Sequence, residues 1–279
     1  MSTPTLNITL EDEGRIAVLR LEHGKANEMG SAQLIELEAL VESLSRPDGP
    51  RALITYSTKT SSRGTPIFVA GANVTERTGW DDDRVRTHVR WQRSVLASLR
   101  RAPVFHVAVV SGVALGWGTE FLLTADWRIA TDRSVFGLPE TTLGIVPGAG
   151  GTSELWTEIG LGHALRLGMT GERIGPGEAA RIGLVHESLP DLDDGLARAR
   201  ILAKKAIMAS PTAVAAFKQA VLSCVGQDAA ARQEIEARAY AHSVVMGQAA
   251  IGRASFAQIR AGEPVEWGPR VLRTDGETS

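Results

Sequence analysis

The stretch from Ser111 to Gly151 limits what this chain can be more than any other part of it. In it, the triplet Gly116-Trp117-Gly118 is followed by Glu120 and by an apolar run with helical spacing. Glycines directly before a helix leave backbone N–H groups free at its positive end, where they can hold an anion or a developing oxyanion. Glu140 is the next glutamate, ahead of a Pro-Gly-Ala-Gly-Gly turn. Two carboxylates near such donors are candidates for acid/base catalysis.

The composition narrows the classes of function. The 279 residues are 43% hydrophobic and 22% charged, which suits a globular protein with a sizeable core. With a formal net charge of -2, the protein has no overall positive potential, so neither nucleic acid nor an anionic membrane is expected as a partner. Cys224 is the only cysteine and lies in an apolar helical pattern. An internal disulfide is therefore excluded, and a small core residue is favoured over a nucleophile.

No targeting or membrane-spanning segment is predicted. The N-terminus has neither a basic head nor an apolar signal core. The longest apolar run, residues 104–125, is interrupted by His106, three glycines and Glu120, which is unlike a membrane span. We therefore expect a cytoplasmic protein that does not enter a membrane.

Strand and helix patterns alternate over the first two-thirds of the chain. Leu6–Leu10 and Ile16–Leu21 predict a hairpin, and Ser31 is predicted to cap the helix that follows. Further strands are predicted at 51–57, 67–69, 104–110, 127–131, 134–136 and 184–187. Helices are predicted at 81–101, 151–168 and 176–182, and the second of these is expected to break at Gly160 and Gly162. Ala-rich helical patterns then fill 195–208, 212–224 and 228–260. We expect an α/β core over residues 1–194 and a helical region over residues 195–279.

Five short motifs connect the chain to a known family. They are Phe68–Asn73 (FVAGAN), Gly112–Glu120 (GVALGWGTE), Ala125-Asp126, Phe136–Glu140 (FGLPE) and Gly144–Gly151 (GIVPGAGG). In this order and spacing they resemble the enoyl-CoA hydratase/isomerase (crotonase) superfamily. The resemblance implies a spiral core of ββα units and a C-terminal α-helical trimerisation region, so a homotrimer or a dimer of trimers is expected. It does not select one reaction, because this superfamily runs hydration, isomerisation, dehalogenation and C–C chemistry on one scaffold.

The resemblance also implies a set of catalytic groups. By motif position, the backbone N–H groups of Ala72 and Trp117 resemble the oxyanion hole that holds the thioester carbonyl and stabilises its enolate. Glu120 and Glu140 resemble the two catalytic glutamates of the hydratases. Glu120 is expected to take a proton from water as its oxygen attacks C3, and Glu140 to deliver a proton to C2. Two carboxylates in one apolar pocket oppose each other's ionisation, so one of them is expected to start neutral.

Two residues depart from the superfamily pattern. Trp117 stands where hydratases carry a small residue; its N–H remains available, but its ring must either pack under the helix or enter the acyl pocket. Carboxymethylproline synthases resemble this chain in carrying a bulky residue there, yet they lack the first glutamate, which this chain keeps as Glu120. Asn73 stands where aspartate is usual, and we expect it to serve structure or capping.

The resemblance implies that coenzyme A enters as part of the substrate. Lys25 resembles the basic residue that meets the CoA phosphates, although a solvated turn lysine explains it almost as well, and the backbone near Ala70 is expected to meet the adenine. Phe256 and Arg260 stand where the tail of a neighbouring subunit commonly helps. The six histidines show no metal-ligand spacing, and no Rossmann or P-loop glycine pattern occurs. No metal, and no cofactor besides the CoA of an acyl-CoA substrate, is expected.

Three hypotheses for the function remain open. The leading one is a hydro-lyase that adds water across the 2,3 double bond of an enoyl-CoA thioester, because Glu120 and Glu140 occur together. The second is another crotonase reaction, either double-bond isomerisation or hydrolysis or cleavage of a C–C bond, and Trp117 motivates it. The third is a protein of crotonase fold that binds acyl-CoA without catalysis. Two carboxylates in one apolar pocket argue against the third, since a binder has no need of them.

Overall fold

A computed structural model of the chain describes residues 5–272. The strands are β1 (Asn7–Glu11), β2 (Ile16–Leu21), β3 (Ala52–Ser57), β4 (Ile67–Val69), β5 (Phe105–Val110), β6 (Val113–Leu115), β7 (Trp127–Thr131), β8 (Val135–Gly137), β9 (Arg173–Ile174) and β10 (Glu187–Leu189). The helices are α1 (Ser31–Ser45), α2 (Asp82–Arg101), α3 (Trp117–Leu122), α4 (Leu155–Ile159), α5 (Leu161–Thr170), α6 (Pro176–Arg181), α7 (Leu192–Met208), α8 (Pro211–Cys224), α9 (Ala229–Val245), α10 (Gln248–Ala254) and α11 (Phe256–Arg260). Short 3-10 helices span Thr75–Arg77 and Pro139–Leu143.

The strands form two sheets. The larger sheet has six strands in the order β1-β2-β3-β5-β7-β10, and the smaller has four in the order β4-β6-β8-β9. Consecutive strands alternate between them, since β3, β5 and β7 lie in the larger sheet and β4, β6 and β8 in the smaller. Within both sheets, neighbouring strands pair in parallel, except for the antiparallel pairs β1–β2 and β8–β9. The alternation confirms the predicted α/β core of repeated ββα units.

The N-terminus of α2 has the expected capping residue, whereas the N-cap predicted for α1 is wrong. Asp81 caps α2 as its side chain accepts a hydrogen bond of 2.8 Å from the Arg84 N–H. The prediction that Ser31 caps α1 is wrong, because the N-cap residue is Gly30. Ser31 is the first helical residue, and its N–H donates to a Glu76 carboxylate oxygen at 2.9 Å. A distant carboxylate therefore satisfies a free N–H of this helix start, which local sequence cannot reveal.

Two predicted segments differ in the structure. The strand predicted at 184–187 lies further along as β10, because the Leu184 carbonyl accepts a hydrogen bond of 2.7 Å from Arg128 Nε instead of joining the sheet. The helical pattern at 228–260 is divided into α9, α10 and α11. Gly247 separates α9 from α10 with a φ of 83°. Such a left-handed residue ends a helix even though the apolar spacing continues.

The core has two parts. The larger one is formed by side chains of both sheets and of α1, α2 and α3, and it includes Phe68, Phe121 and Phe136. The other lies between the larger sheet and α7, where Ala199, Ala203 and Ile207 are buried against the strands. Helix α7 spans the expected boundary between residues 194 and 195. Since α7 packs against the larger sheet, the first helix of the expected C-terminal region is part of the core. The division of the chain into regions 1–194 and 195–279 stays a prediction.

The last helices carry exposed apolar side chains. α8 packs against α9, and no residue of α9 is buried. Phe217, Tyr240 and Val245 are among the large apolar residues exposed on these two helices. Their role in trimerisation and the cytoplasmic location stay predictions. Among the described residues, no single helix is long and apolar enough to cross a membrane; α7 and α8 together meet the length and composition, with a bend of 108° between them.

Candidate active site

Two neighbouring strand ends bring the predicted oxyanion donors together. β4 and β6 are parallel neighbours, so their carboxyl ends meet at the same edge of the smaller sheet. β4 leads into the turn that holds Ala72, and β6 leads into α3, which starts at Trp117. A Cβ at Gly71 would lie 3.7 Å from the Leu115 carbonyl oxygen, so the two segments run side by side. Residues far apart in the sequence thus share one edge.

The backbone N–H groups of Ala72 and Trp117 donate no hydrogen bond to any other described residue. Their neighbours do: the Asn73 N–H donates to the Met29 carbonyl at 2.8 Å, and the Gly116 N–H donates to the Gly137 carbonyl at 2.9 Å. The neighbouring bonds fix the direction of the backbone. Two free donors on a fixed backbone are what an oxyanion hole requires.

Glycine is required at two positions of this edge. Gly116 has a φ of 53° and a ψ of -120°, a conformation that side chains other than glycine rarely adopt. A Cβ at Gly116 would lie 2.7 Å from Oε1 of Glu140, so this carboxylate stands directly against the start of α3. A Cβ at Gly118 would overlap the carbonyl oxygen of Val69 on β4. The Gly-Trp-Gly sequence therefore lets the helix approach both the strand and Glu140.

Glu120 is held on α3 with only 3% of its surface exposed. Its Oε1 accepts hydrogen bonds from the N–H groups of Ala149 at 2.7 Å and Gly151 at 2.9 Å. Burial raises the pKa of Glu120, and the two backbone donors partly oppose this rise. Its Oε2 accepts no hydrogen bond from the described residues, so one oxygen is anchored and the other is free for a water molecule.

Glu140 lies on the 3-10 helix that follows β8 and is half-buried. Burial, and secondly the negative charge of Glu120, raise the pKa of Glu140 to about 7. Its Oε2 is buried without a hydrogen-bond partner among the described residues. The structure thus brings the two predicted carboxylates into electrostatic contact, and Glu140 can hold a proton near neutral pH.

The ring of Trp117 packs inside the protein. Only 2% of the residue is exposed, and its ring stacks on Phe121 with centroids 5.4 Å apart and planes inclined by 24°. Of the two predicted positions, the ring therefore takes the one under the helix. The other departure, Asn73, accepts a hydrogen bond of 3.2 Å at its Oδ1 from the Glu76 N–H, so it stabilises the turn that presents Ala72.

Comparison with known proteins decides the family. Residues 12–262 match the family described as Enoyl-CoA hydratase/isomerase. The chain belongs to the enoyl-CoA hydratase/isomerase family. It is similar to the mouse mitochondrial enoyl-CoA hydratase domain-containing protein 2, with 32% identity covering 93% of this chain and 88% of the relative. It is also similar to the short-chain-enoyl-CoA hydratase of Clostridium acetobutylicum, with 33% identity covering 77% of this chain and 80% of the relative.

A solved structure supports the same family and fold. The crystal structure of an enoyl-CoA hydratase from Bacillus anthracis is similar to this chain with a TM-score of 0.84 and 30% identity. The similarity covers 94% of this chain and 98% of the other. The predicted resemblance to the superfamily and the predicted fold are thereby confirmed.

Two of the four CoA-binding residues predicted from the enoyl-CoA hydratase/isomerase resemblance lie side by side. Lys25 is exposed in a turn whose Ala26 carbonyl accepts a hydrogen bond of 3.1 Å from the Ala70 N–H. Phe256 and Arg260 lie exposed on α11. Within residues 5–272 they form no hydrogen bond or ion pair with that turn. All four CoA-binding roles stay predictions.

Sequence reasoning missed two residues that position this site. Asn27 is buried, and its amide donates to Ser57 Oγ and to the Phe68 carbonyl, both at 2.9 Å, which ties the Lys25 turn to β4. The available sequence signal is an asparagine in a glycine-containing turn, and in the structure this asparagine has a φ of 54°. Arg93 on α2 donates from Nε to the Gly148 carbonyl at 2.8 Å and so supports the glycine-rich loop that binds Glu120. No sequence pattern links Arg93 to that loop.

The same region offers no arrangement for a metal ion. Within residues 5–272, no three His, Cys, Asp or Glu side chains are placed to bind one. His106 is fully buried, and burial first, with the Lys218 charge second, lowers its pKa to about 3. It shares a hydrogen bond of 2.9 Å with Thr55 and lies in the core rather than at the candidate active site.

Proposed function

We propose that this chain is a hydro-lyase that adds water across the 2,3 double bond of an enoyl-CoA thioester. The observation that carries the proposal is the buried Glu120 and the half-buried Glu140 next to two free backbone N–H groups. Hydration needs one group to take a proton and another to deliver one, and the pair supplies both. The similarity to the Clostridium acetobutylicum short-chain-enoyl-CoA hydratase supports this reaction without deciding it.

The proposed reaction moves one proton through the pair. The thioester oxygen accepts hydrogen bonds from the N–H groups of Ala72 and Trp117. Glu120 takes a proton from water as the water oxygen bonds to C3, and the π electrons of the double bond shift toward the thioester oxygen as an enolate. The enolate then takes the proton of Glu140 at C2. The pair starts and ends with one proton in total, and one water has been added.

The alternative reactions receive less support from the site. Double-bond isomerisation needs one carboxylate to carry a proton between two carbons, and Glu140 alone would suffice. The departure at Trp117 motivates this alternative, but its ring stacks on Phe121 in the core. A buried ring gives no reason to expect an unusual acyl pocket. Glu120, which isomerisation does not need, is kept and anchored by two backbone donors.

The direct test is turnover of enoyl-CoA thioesters. Purified protein is mixed with crotonyl-CoA and with longer and aryl enoyl-CoA substrates, and the absorbance of the conjugated thioester is followed. We expect the band to decrease and mass spectrometry to find a product heavier by one water. A folded protein that binds acyl-CoA in calorimetry but hydrates none of these substrates would contradict the proposal and favour the non-catalytic alternative.

The pair also predicts a bell-shaped pH dependence of kcat/KM. The active form carries one proton, so activity is expected to fall as the pH rises through the Glu140 pKa of about 7. Activity falls again at lower pH, when Glu120, whose pKa is also raised, takes a second proton. Hydration and the reverse dehydration use the same singly protonated pair, so both must show one profile. Initial rates in both directions test this, and a rate that is flat through neutral pH would contradict it.

A further inference from the structure

A cavity of about 580 Å³ adjoins Glu120. It lies between α2, α3, the glycine-rich loop at 149–150 and the C-terminal end of α8. One face of α2 lines it, because the lining residues of this helix recur at helical spacing. These residues are Arg93, Leu96, Ala97, Arg100 and Arg101. Because Glu120 lines this cavity and is expected next to C3 of the substrate, the cavity offers room for the carbons beyond C3.

The arginines of the cavity are not equally neutralised. Arg100 forms ion pairs with Glu154 at 3.1 Å and with Glu158 at 3.3 Å. Arg93 uses Nε for the Gly148 carbonyl and forms no ion pair with a described residue. The exposed side chain of Arg101 forms neither a hydrogen bond nor an ion pair within residues 5–272. Two guanidinium groups therefore keep their positive charge available to a ligand.

Apolar side chains separate these charges. Leu96, Leu123 and Leu222 line the cavity together with the arginines. Arg93 and Arg101 are eight positions apart on α2, a rise of about 12 Å at 1.5 Å per residue. Glu120, aliphatic side chains and two guanidinium groups without an ion pair thus line one cavity. An aliphatic chain with an anionic end matches this lining.

We propose that the cavity selects enoyl-CoA substrates whose acyl chain ends in a carboxylate, and that Arg93 and Arg101 bind this carboxylate. The inference rests on the proposed hydratase function of the same site. Guanidinium groups bind carboxylates in a two-pronged geometry, which favours this end group over an uncharged polar one. A shorter chain meets Arg93 and a longer one meets Arg101.

The test compares substrates of equal length that end in a methyl group or in a carboxylate. The readout is the ratio of kcat/KM for the carboxylate-ended over the methyl-ended substrate, measured for several chain lengths. We expect Arg101→Gln to lower this ratio about 10-fold for the longer chains, as for one hydrogen-bonded charge pair. Arg90→Gln is the control, because Arg90 is exposed on the same helix outside the cavity lining. Added salt should weaken the preference in the wild type.

The ratio distinguishes a site for the acyl carboxylate from a site for the CoA phosphates. If Arg101 bound the phosphates, Arg101→Gln would lower kcat/KM equally for both substrates. The ratio would then be unchanged, and this would overturn the proposal. If neither substrate is hydrated, the hydratase function is wrong, and calorimetry with saturated adipoyl-CoA and hexanoyl-CoA then replaces kinetics. Equal Kd ratios in the wild type, Arg93→Gln and Arg101→Gln would overturn the cavity assignment independently of catalysis.

Discussion

Replacing Glu140 with glutamine is expected to lower kcat for hydration by about 10²–10⁴-fold, the usual contribution of a positioned acid or base. Glutamine keeps the shape of the side chain but has no proton to deliver to C2. The effect should be in kcat rather than in KM, because the proton is transferred only in the transition state. Steady-state kinetics with crotonyl-CoA, alongside circular dichroism to confirm folding, measures it.

The matched variant Glu120→Gln is expected to lose activity on a similar scale, since water then has no base. Glu42→Gln is the control: Glu42 is exposed on α1, and its side chain forms no ion pair or hydrogen bond with the described residues. Its activity should equal that of the wild type. Retained turnover in Glu120→Gln together with loss in Glu140→Gln would point to a one-carboxylate reaction such as isomerisation. Full activity of Glu140→Gln would remove the acid assignment altogether.

Most elements of the fold follow from local pattern and were predictable from the sequence, whereas the short strands β6 and β9 were not predicted. The charged helix α2 buries residues at helical spacing, and the continuous apolar runs of β2 and β5 are buried. The first strand, β1, has an alternating pattern, but its Ile8 and Leu10 are exposed, so burial does not explain that pattern. The division of the strands between two sheets is not local. It depends on which strands pair, and only the resemblance to a family supplied it.

The positions of the site residues were predictable from the sequence, but the contacts that orient them were not. Ala72, Trp117, Glu120 and Glu140 stand in short motifs, so their positions could be inferred. What orients them comes from elsewhere in the chain: Glu120 depends on the loop at 149–151, and that loop depends on α2. No sequence pattern predicts a hydrogen bond from a helix side chain to a loop carbonyl. Such supporting contacts require coordinates.

The oxyanion hole can be tested by removing one donor. Ala72→Pro is expected to lower kcat by about 10²–10³-fold, the cost measured for the loss of one such donor elsewhere. Proline lacks the backbone N–H, and the N–H of Ala72 donates to no described residue, so no internal hydrogen bond is lost. Gly71, with a φ of 123°, has the freedom to precede a proline. The measurement is kcat with crotonyl-CoA at saturation.

The control Ala72→Ser keeps the N–H at this position and should retain activity, which separates the donor from the side chain. Circular dichroism and thermal unfolding must show that the proline variant is folded. Because the enolate carries more charge than the ground-state carbonyl, the loss should appear mainly in kcat and much less in the Kd of a saturated acyl-CoA. If folded Ala72→Pro turns over like the wild type, Ala72 is not a donor to the enolate, and the free N–H of Trp117 would have to act alone.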